Sequence, residues 1–331
     1  KNIEVPADDW DLHSIIDSLE IDDKELKEIE FIELPKFFSF NNDERKLFLL
    51  NTVDKAFRFL TLVCDPDIFD SFKEQMRDKT IYLDSNVVYR LVNLQGTHRY
   101  KSIKETISIC KDYNIQLKVS YKTLEELQRR LKFDSKVLKE YPAPKNLLSV
   151  GIKYLTEENY VSTYWYEASD KGFSVDDFIN HYKHIDLLLE EEGILVEKEK
   201  PEFKEEFTDD KKNIMSSIAL NQDQSDEYKK SINSIEHDAY HLALVGYLRG
   251  PAVYNFLDGN TWFMTTDQSI IKLQKNDYYL KNDVPVAILP SQLIQILRVI
   301  TPSNKDFDEA FIDFFSRSLT PSDSILNKRF A

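Results

Sequence analysis

The chain has 331 residues, 42% of them hydrophobic and 12% aromatic, which is enough apolar material for one large or two modest cores and excludes disorder as the starting expectation. Seven glycines and no GxGxxG or GxxxxGK[ST] pattern exclude the glycine-rich phosphate loops, and two cysteines far apart, Cys64 and Cys110, suggest neither a zinc cluster nor a disulfide framework. A net charge of −15 argues against a general nucleic-acid coat, although charge can be segregated along a chain.

The first stretch, KNIEVPADDWDL, has no signal-peptide pattern, and no apolar run approaches the roughly 20 residues of a membrane span. A reducing, cytoplasmic setting is the expectation. Residues 1–75 read as a helical region, with Leu47, Leu50, Val53, Phe57 and Leu60 on one stripe. TIYLD is a short buried-strand pattern. YKSIKETISICKDYN follows as a helix with Ile103, Ile107 and Cys110 on one face. IQLKVS is the next strand, and Thr123 to Leu131 reads as a helix entered through Ser120 as N-cap. Strand, helix, strand, helix predicts an α/β fold with a parallel sheet and crossover helices.

That pattern then breaks. Residues 132–234 read as a largely helical insertion with a turn at YPAP and a mobile loop over Lys198 to Lys212. The sheet pattern resumes at 235–295. SIEHDAYHLALVGYLRG is a helix, WFMTTD a strand ending in Asp267, and VAILP a last short strand. The tail, 296–331, carries Phe307, Phe311, Phe314 and Phe315 at helical spacing. His98 to Lys145 holds 12 Lys+Arg against 6 Asp+Glu, and Asp186 to Glu236 holds 7 against 15. These are solvated helix faces, or a basic phosphate-tracking surface beside an acidic arm. In the second case Glu190 to Asp210 could mimic nucleic acid in the basic groove.

Two strands end in an acid, Asp84 and Asp267, and two helices carry one in an early turn, Glu126 and Asp238. The carboxyl ends of parallel strands share one edge, where ligands bind. Four carboxylates converging there would repel one another, and a divalent cation removes the conflict. Oxygen ligands without Cys favour Mg²⁺ or Mn²⁺. Any one of these acids could instead be a helix cap or a solvated residue. His237 and His241, four apart on one helix, have a spacing that can bind zinc, and His181 and His184 could be recruited to a His-Asp phosphohydrolase reading.

Four segments in order resemble the motifs of the PIN-domain nucleases: IYLDSNVVYRL, KVSYKTLEELQRRL, HDAYHLALV and WFMTTDQSII. The resemblance covers about a third of the chain. It departs from the compact family pattern in the N-terminal region, the tail and the long stretch between the second and third segments. It implies a PIN-like sheet and Mg²⁺- or Mn²⁺-dependent hydrolysis of phosphodiester bonds, in RNA more than DNA. Asp84, Glu126, Asp238 and Asp267 would be the metal-binding and catalytic acids, with Glu126 rather than Glu125 because it directly precedes Leu127. Asn86 and Thr265 would support them through hydrogen bonds. The length suits a regulated defence or toxin-like nuclease. The helical regions could serve a protein partner or a homo-oligomer, and the alternative is a PIN-like scaffold that binds a protein or nucleic acid without cutting.

Overall fold

The computed structural model describes residues 66–142, 159–223, 230–249, 253, 256–276, 284–298 and 301. All belong to one compact unit, Pro66–Pro302. The stripe at Leu47 to Leu60 and the phenylalanines of the tail lie outside the described residues.

Helix α1 (Pro66–Met76) leads into strand β1 (Thr80–Leu83), which is followed by α2 (Ser85–Leu91), α3 (Thr97–Asp112), β2 (Gln116–Val119) and α4 (Tyr121–Glu140). Asn114, with φ of 55°, takes the left-handed turn that stops α3 and turns the chain into β2. Then come α5 (Tyr160–Asp170), α6 (Val175–Lys183), α7 (Ile185–Glu191), β3 (Leu195–Val196) and α8 (Glu205–Asp223). The last elements are α9 (Ile232–Arg249), β4 (Thr261–Met264), α10 (Gln268–Asn276), β5 (Ala287–Ile288) and α11 (Pro290–Arg298).

The five strands form one all-parallel sheet in the order β3-β2-β1-β4-β5, flanked by helices. The expected α/β class is therefore present. β1 and β4 are central and pair in register, Ile81 with Trp262 and Leu83 with Met264. A strand covered on both faces needs apolar side chains at successive positions, and this is why IYL and TWFM read as unbroken apolar runs. Ile81, Leu83, Trp262, Phe263 and Met264 are all buried. α9 packs on β4 and, on another side, against α8.

The described part of 132–234 is largely helical, as expected, with one short strand in it: Leu195–Val196 pairs with Lys118–Val119 and extends the sheet beyond β2. One expectation needs correction. The supposed loop Lys198 to Lys212 is helical from Glu205 onward. Phe207, Ile214 and Ile218 recur there at helical intervals and are buried in the cluster around Tyr240, which outweighs the charged residues between them. In addition, α4 runs past Leu131 to Glu140, and YPAP is described only as far as Pro142.

In the segment YVSTYWYEA (Tyr160–Ala168) two of the four aromatics are core residues, while Tyr166 is 46% exposed. Tyr160 and Tyr164 are buried edge-on against Phe178. The acidic arm is spent in part on the sheet's outer edge: Glu192 pairs with Lys104 and Lys111, and Glu197 with Lys118. No helix among the described residues is long and apolar enough to cross a membrane.

Candidate metal centre

The strand order reverses between β1 and β4, the position at which parallel α/β sheets bind ligands. Asp84 follows β1 there and is 3% exposed. It stands at the N-cap position of α2, yet its side chain makes no cap hydrogen bond. The carboxylate is instead held by two hydroxyls, one from the first residue of α2 and one from beyond β4. The Thr265 hydroxyl, just past β4, donates to Oδ2 at 2.5 Å, and the Ser85 hydroxyl to Oδ1 at 3.3 Å. The Asp84 amide continues the β1–β4 ladder to the Met264 carbonyl at 2.9 Å. Burial pushes the Asp84 carboxyl up to about 6, opposed by the His237 charge and reinforced by Asp238 and Glu126.

Glu126 comes from α4. Ser120 caps that helix through a hydrogen bond from the Thr123 amide at 3.2 Å, as expected. Glu126 Oε2 lies 3.2 Å from His237 Nε2. Its neighbour Glu125 points elsewhere, 56% exposed and 3.5 Å from Lys122.

His237 and Asp238 come from α9. His237 Nδ1 is 3.3 Å from Asp238 Oδ1, so the ring sits between two carboxylates and is buried. Burial alone would lower its pKa; the Asp238 hydrogen bond and the charges of Asp84 and Glu126 outweigh that and raise it. One turn on, His241 Nδ1 donates to the His237 carbonyl at 2.8 Å, so Nε2 carries the lone pair and accepts from the Ser120 hydroxyl at 2.7 Å. Burial and the neighbouring His237 push His241 well below the usual histidine value, so it stays neutral. Its ring stacks on Phe263 at 4.5 Å, making it a packed helix histidine beside the centre.

Asp84, Glu126 and His237 each offer one ligand atom, and these atoms lie within 4.8 Å of one another. Among the described residues this is the group of acids, histidines and cysteines that could hold a metal ion, and His181 and His184 are not in it. The donors fit a divalent ion: two carboxylates, and an imidazole whose far nitrogen faces the Asp238 carboxylate, the partner that orients a metal-bound histidine. A nitrogen donor suits a transition ion better than Mg²⁺.

Of the four acids singled out in the sequence, the structure gathers Asp84 and Glu126 directly, with Asp238 one bond away through His237. Asp267 is differently engaged. It lies three residues beyond the end of β4; its Oδ1 accepts the Ser269 amide at 2.8 Å, so it does cap α10. Its Oδ2 is 2.5 Å from Lys230 Nζ, which also lies 2.6 Å from Asp238 Oδ2. Thr265 holds Asp84 and also accepts the Asp267 amide at 3.0 Å.

Asn86, expected to support the acids, accepts through its side-chain Oδ1 from Arg130 at 3.2 Å. Sequence reasoning does not join His237 to the acids as a ligand, nor single out Lys230 as their counter-ion. His237 is open to view in HDAYH. Lys230 is not, because its partners lie 8 and 37 positions away and no local pattern joins them.

Two open cavities border α4. One, of about 390 Å³, is lined by Lys122, Arg129, Lys132, Glu125, Glu236 and His237 among others. The other, of about 350 Å³, holds Arg99, Arg130, Tyr89, Phe133 and Tyr160. The Arg130 guanidinium stacks over Tyr89 at 4.1 Å, and Phe133 is 66% exposed. Comparison with protein-family models, with curated proteins and with solved structures finds no match for this chain.

Proposed function

We propose that this chain is a Mg²⁺- or Mn²⁺-dependent nuclease with a PIN-like arrangement, hydrolysing phosphodiester bonds in RNA more than in DNA. The observation that carries the proposal is the meeting of Asp84, Glu126 and His237 at the carboxyl edge of the sheet, where the strand order reverses. A buried carboxylate at such an edge is costly unless a cation is there to meet it. The sequence resemblance supplies the chemistry and the preference for RNA.

In this reading Asp84, Glu126 and His237 hold the ion. Once bound, such an ion lowers the pKa of a water, orients it and neutralises charge developing at phosphorus. The chain's own groups do the rest. Thr265 and Ser85 fix the direction of the Asp84 oxygens. Asp238 keeps the His237 ring oriented through Nδ1. Arg99, Arg130 and the exposed Phe133 offer phosphate contacts and a stacking face along one approach, and Lys122, Arg129 and Lys132 a basic flank along the other.

The test is cleavage of single-stranded RNA and DNA in Mn²⁺ by the wild type, Asp84→Asn and Glu126→Gln. Cleavage by the wild type that both substitutions abolish is expected. Equal cleavage by all three proteins overturns the proposal. A non-cutting scaffold is the second reading, favoured by the ion pairs that already occupy Asp238 and Asp267. It predicts nucleic-acid binding with no metal uptake and no cleavage.

A further inference from the structure

The four acids fall into two sets that differ in what balances them. Asp84 and Glu126 face each other and His237. Asp238 and Asp267 face Lys230, whose side chain is 17% exposed, against 8% and 24% for the two acids. Each acid commits one oxygen to the fold, Asp238 Oδ1 to His237 and Asp267 Oδ1 to the Ser269 amide. Each turns the other oxygen, Oδ2, to the same ammonium, at 2.6 and 2.5 Å. An ammonium is a compact point charge with three donors, able to draw two carboxylates together as a divalent ion would. Both acids also come from the elements that build the metal centre, α9 and the turn after β4.

We infer that Lys230 is the built-in second cation of this centre: its ammonium fills the position that Asp238 and Asp267 would otherwise offer to a metal, so the site takes one divalent ion rather than two. The inference rests on the proposed metal centre and adds its stoichiometry and charge. With His237 neutral, these four carboxylates, one divalent ion and the ammonium sum to a single negative charge among the described groups. A second divalent ion in place of the ammonium would bring the same groups to zero net charge. The number of ions bound is therefore a property of Lys230 and can be changed by one substitution.

The experiment is a Mn²⁺ titration of the full chain, read as the loss of the free-ion electron paramagnetic resonance signal and checked by native mass spectrometry. The proteins are the wild type, Lys230→Ala and Lys230→Arg. One ion is expected for the wild type, two for Lys230→Ala and one for Lys230→Arg, which keeps the charge. Two ions in the wild type, or one in Lys230→Ala, overturn the inference while leaving the metal centre standing. No ion in any of the three overturns the proposed function and the inference with it. Should Lys230→Ala be unfolded without metal, Mn²⁺ is expected to refold it with two ions bound, and failure to refold counts against the inference.

Discussion

Replacing Asp84 by asparagine should make the metal-free protein more stable while destroying its proposed activity. The Asp84 carboxyl has an ordinary value of 3.8 and is pushed to about 6 in the fold, mainly by burial. A raised carboxyl pKa means that the folded state holds the proton more tightly than the unfolded chain does. The associated stability is present below about pH 4 and is lost as the pH rises through 6. A rise of this size corresponds to about 3 kcal/mol of penalty carried at pH 8, and roughly half of that at pH 5. Asparagine keeps the shape and removes the charge. It can still accept the Thr265 hydroxyl, while its amide must find new partners, so a net gain of about 1–3 kcal/mol at pH 8 is expected. For a unit of this size that is a rise in Tm of roughly 3–10 °C. The assay is thermal unfolding in EDTA at pH 8 and at pH 5, followed by circular dichroism. The gain should shrink by about half at the lower pH. In Mn²⁺ the order should reverse, because only the wild type retains the full binding free energy. A lower Tm for Asp84→Asn in EDTA at pH 8, or a gain of equal size at both pH values, refutes the reasoning.

Thr265→Val removes the donor to Asp84 and the acceptor of the Asp267 amide together. Calorimetry should show Mn²⁺ affinity reduced about 10–100-fold, and an unchanged affinity would mean that Thr265 does not aim the carboxylate. Arg130→Ala, in the cavity beside Tyr89, should weaken single-stranded RNA binding. It should also reduce the slope of log affinity against log salt by about 0.7, and an unchanged slope would place the strand elsewhere. Cys110 is fully buried, and burial pushes its thiol up to about 12. Peptide mapping after iodoacetamide at pH 8 should find it unmodified in the native protein and alkylated in denaturant. Native-state alkylation would contradict its placement on the buried face of α3.

What can be read in the sequence follows from what each residue's neighbours are. The central strands are legible because IYL and TWFM are covered on both faces, and that requirement shows in three or four letters. Ser120 as a cap is legible because its partner, the Thr123 amide, is three residues away. β3 is not, because two residues at a sheet edge, with Leu195 48% exposed, leave no alternation to detect. The helix from Glu205 carries a signal in Phe207, Ile214 and Ile218, but Pro201 and the surrounding charges obscure it. At the site, Asp84 and Glu126 stand out because a strand end and a helix start frame them. The division of labour among the acids does not. It depends on one ammonium reaching two carboxylates, a relation among three distant positions rather than within any one segment.

The central place of β1 also shapes how the chain is made. One edge of β1 can pair with β2 soon after both leave the ribosome. The other waits for β4, and Thr265 lies 181 positions after Asp84. At about 5–20 residues per second that interval is roughly 10–40 s. Throughout it, a short apolar strand shows an open row of amides and carbonyls, the condition under which chains pair with one another. The arrangement that places Asp84 beside Thr265 therefore leaves that edge of β1 unpaired by β4 until Thr261–Met264 have been made.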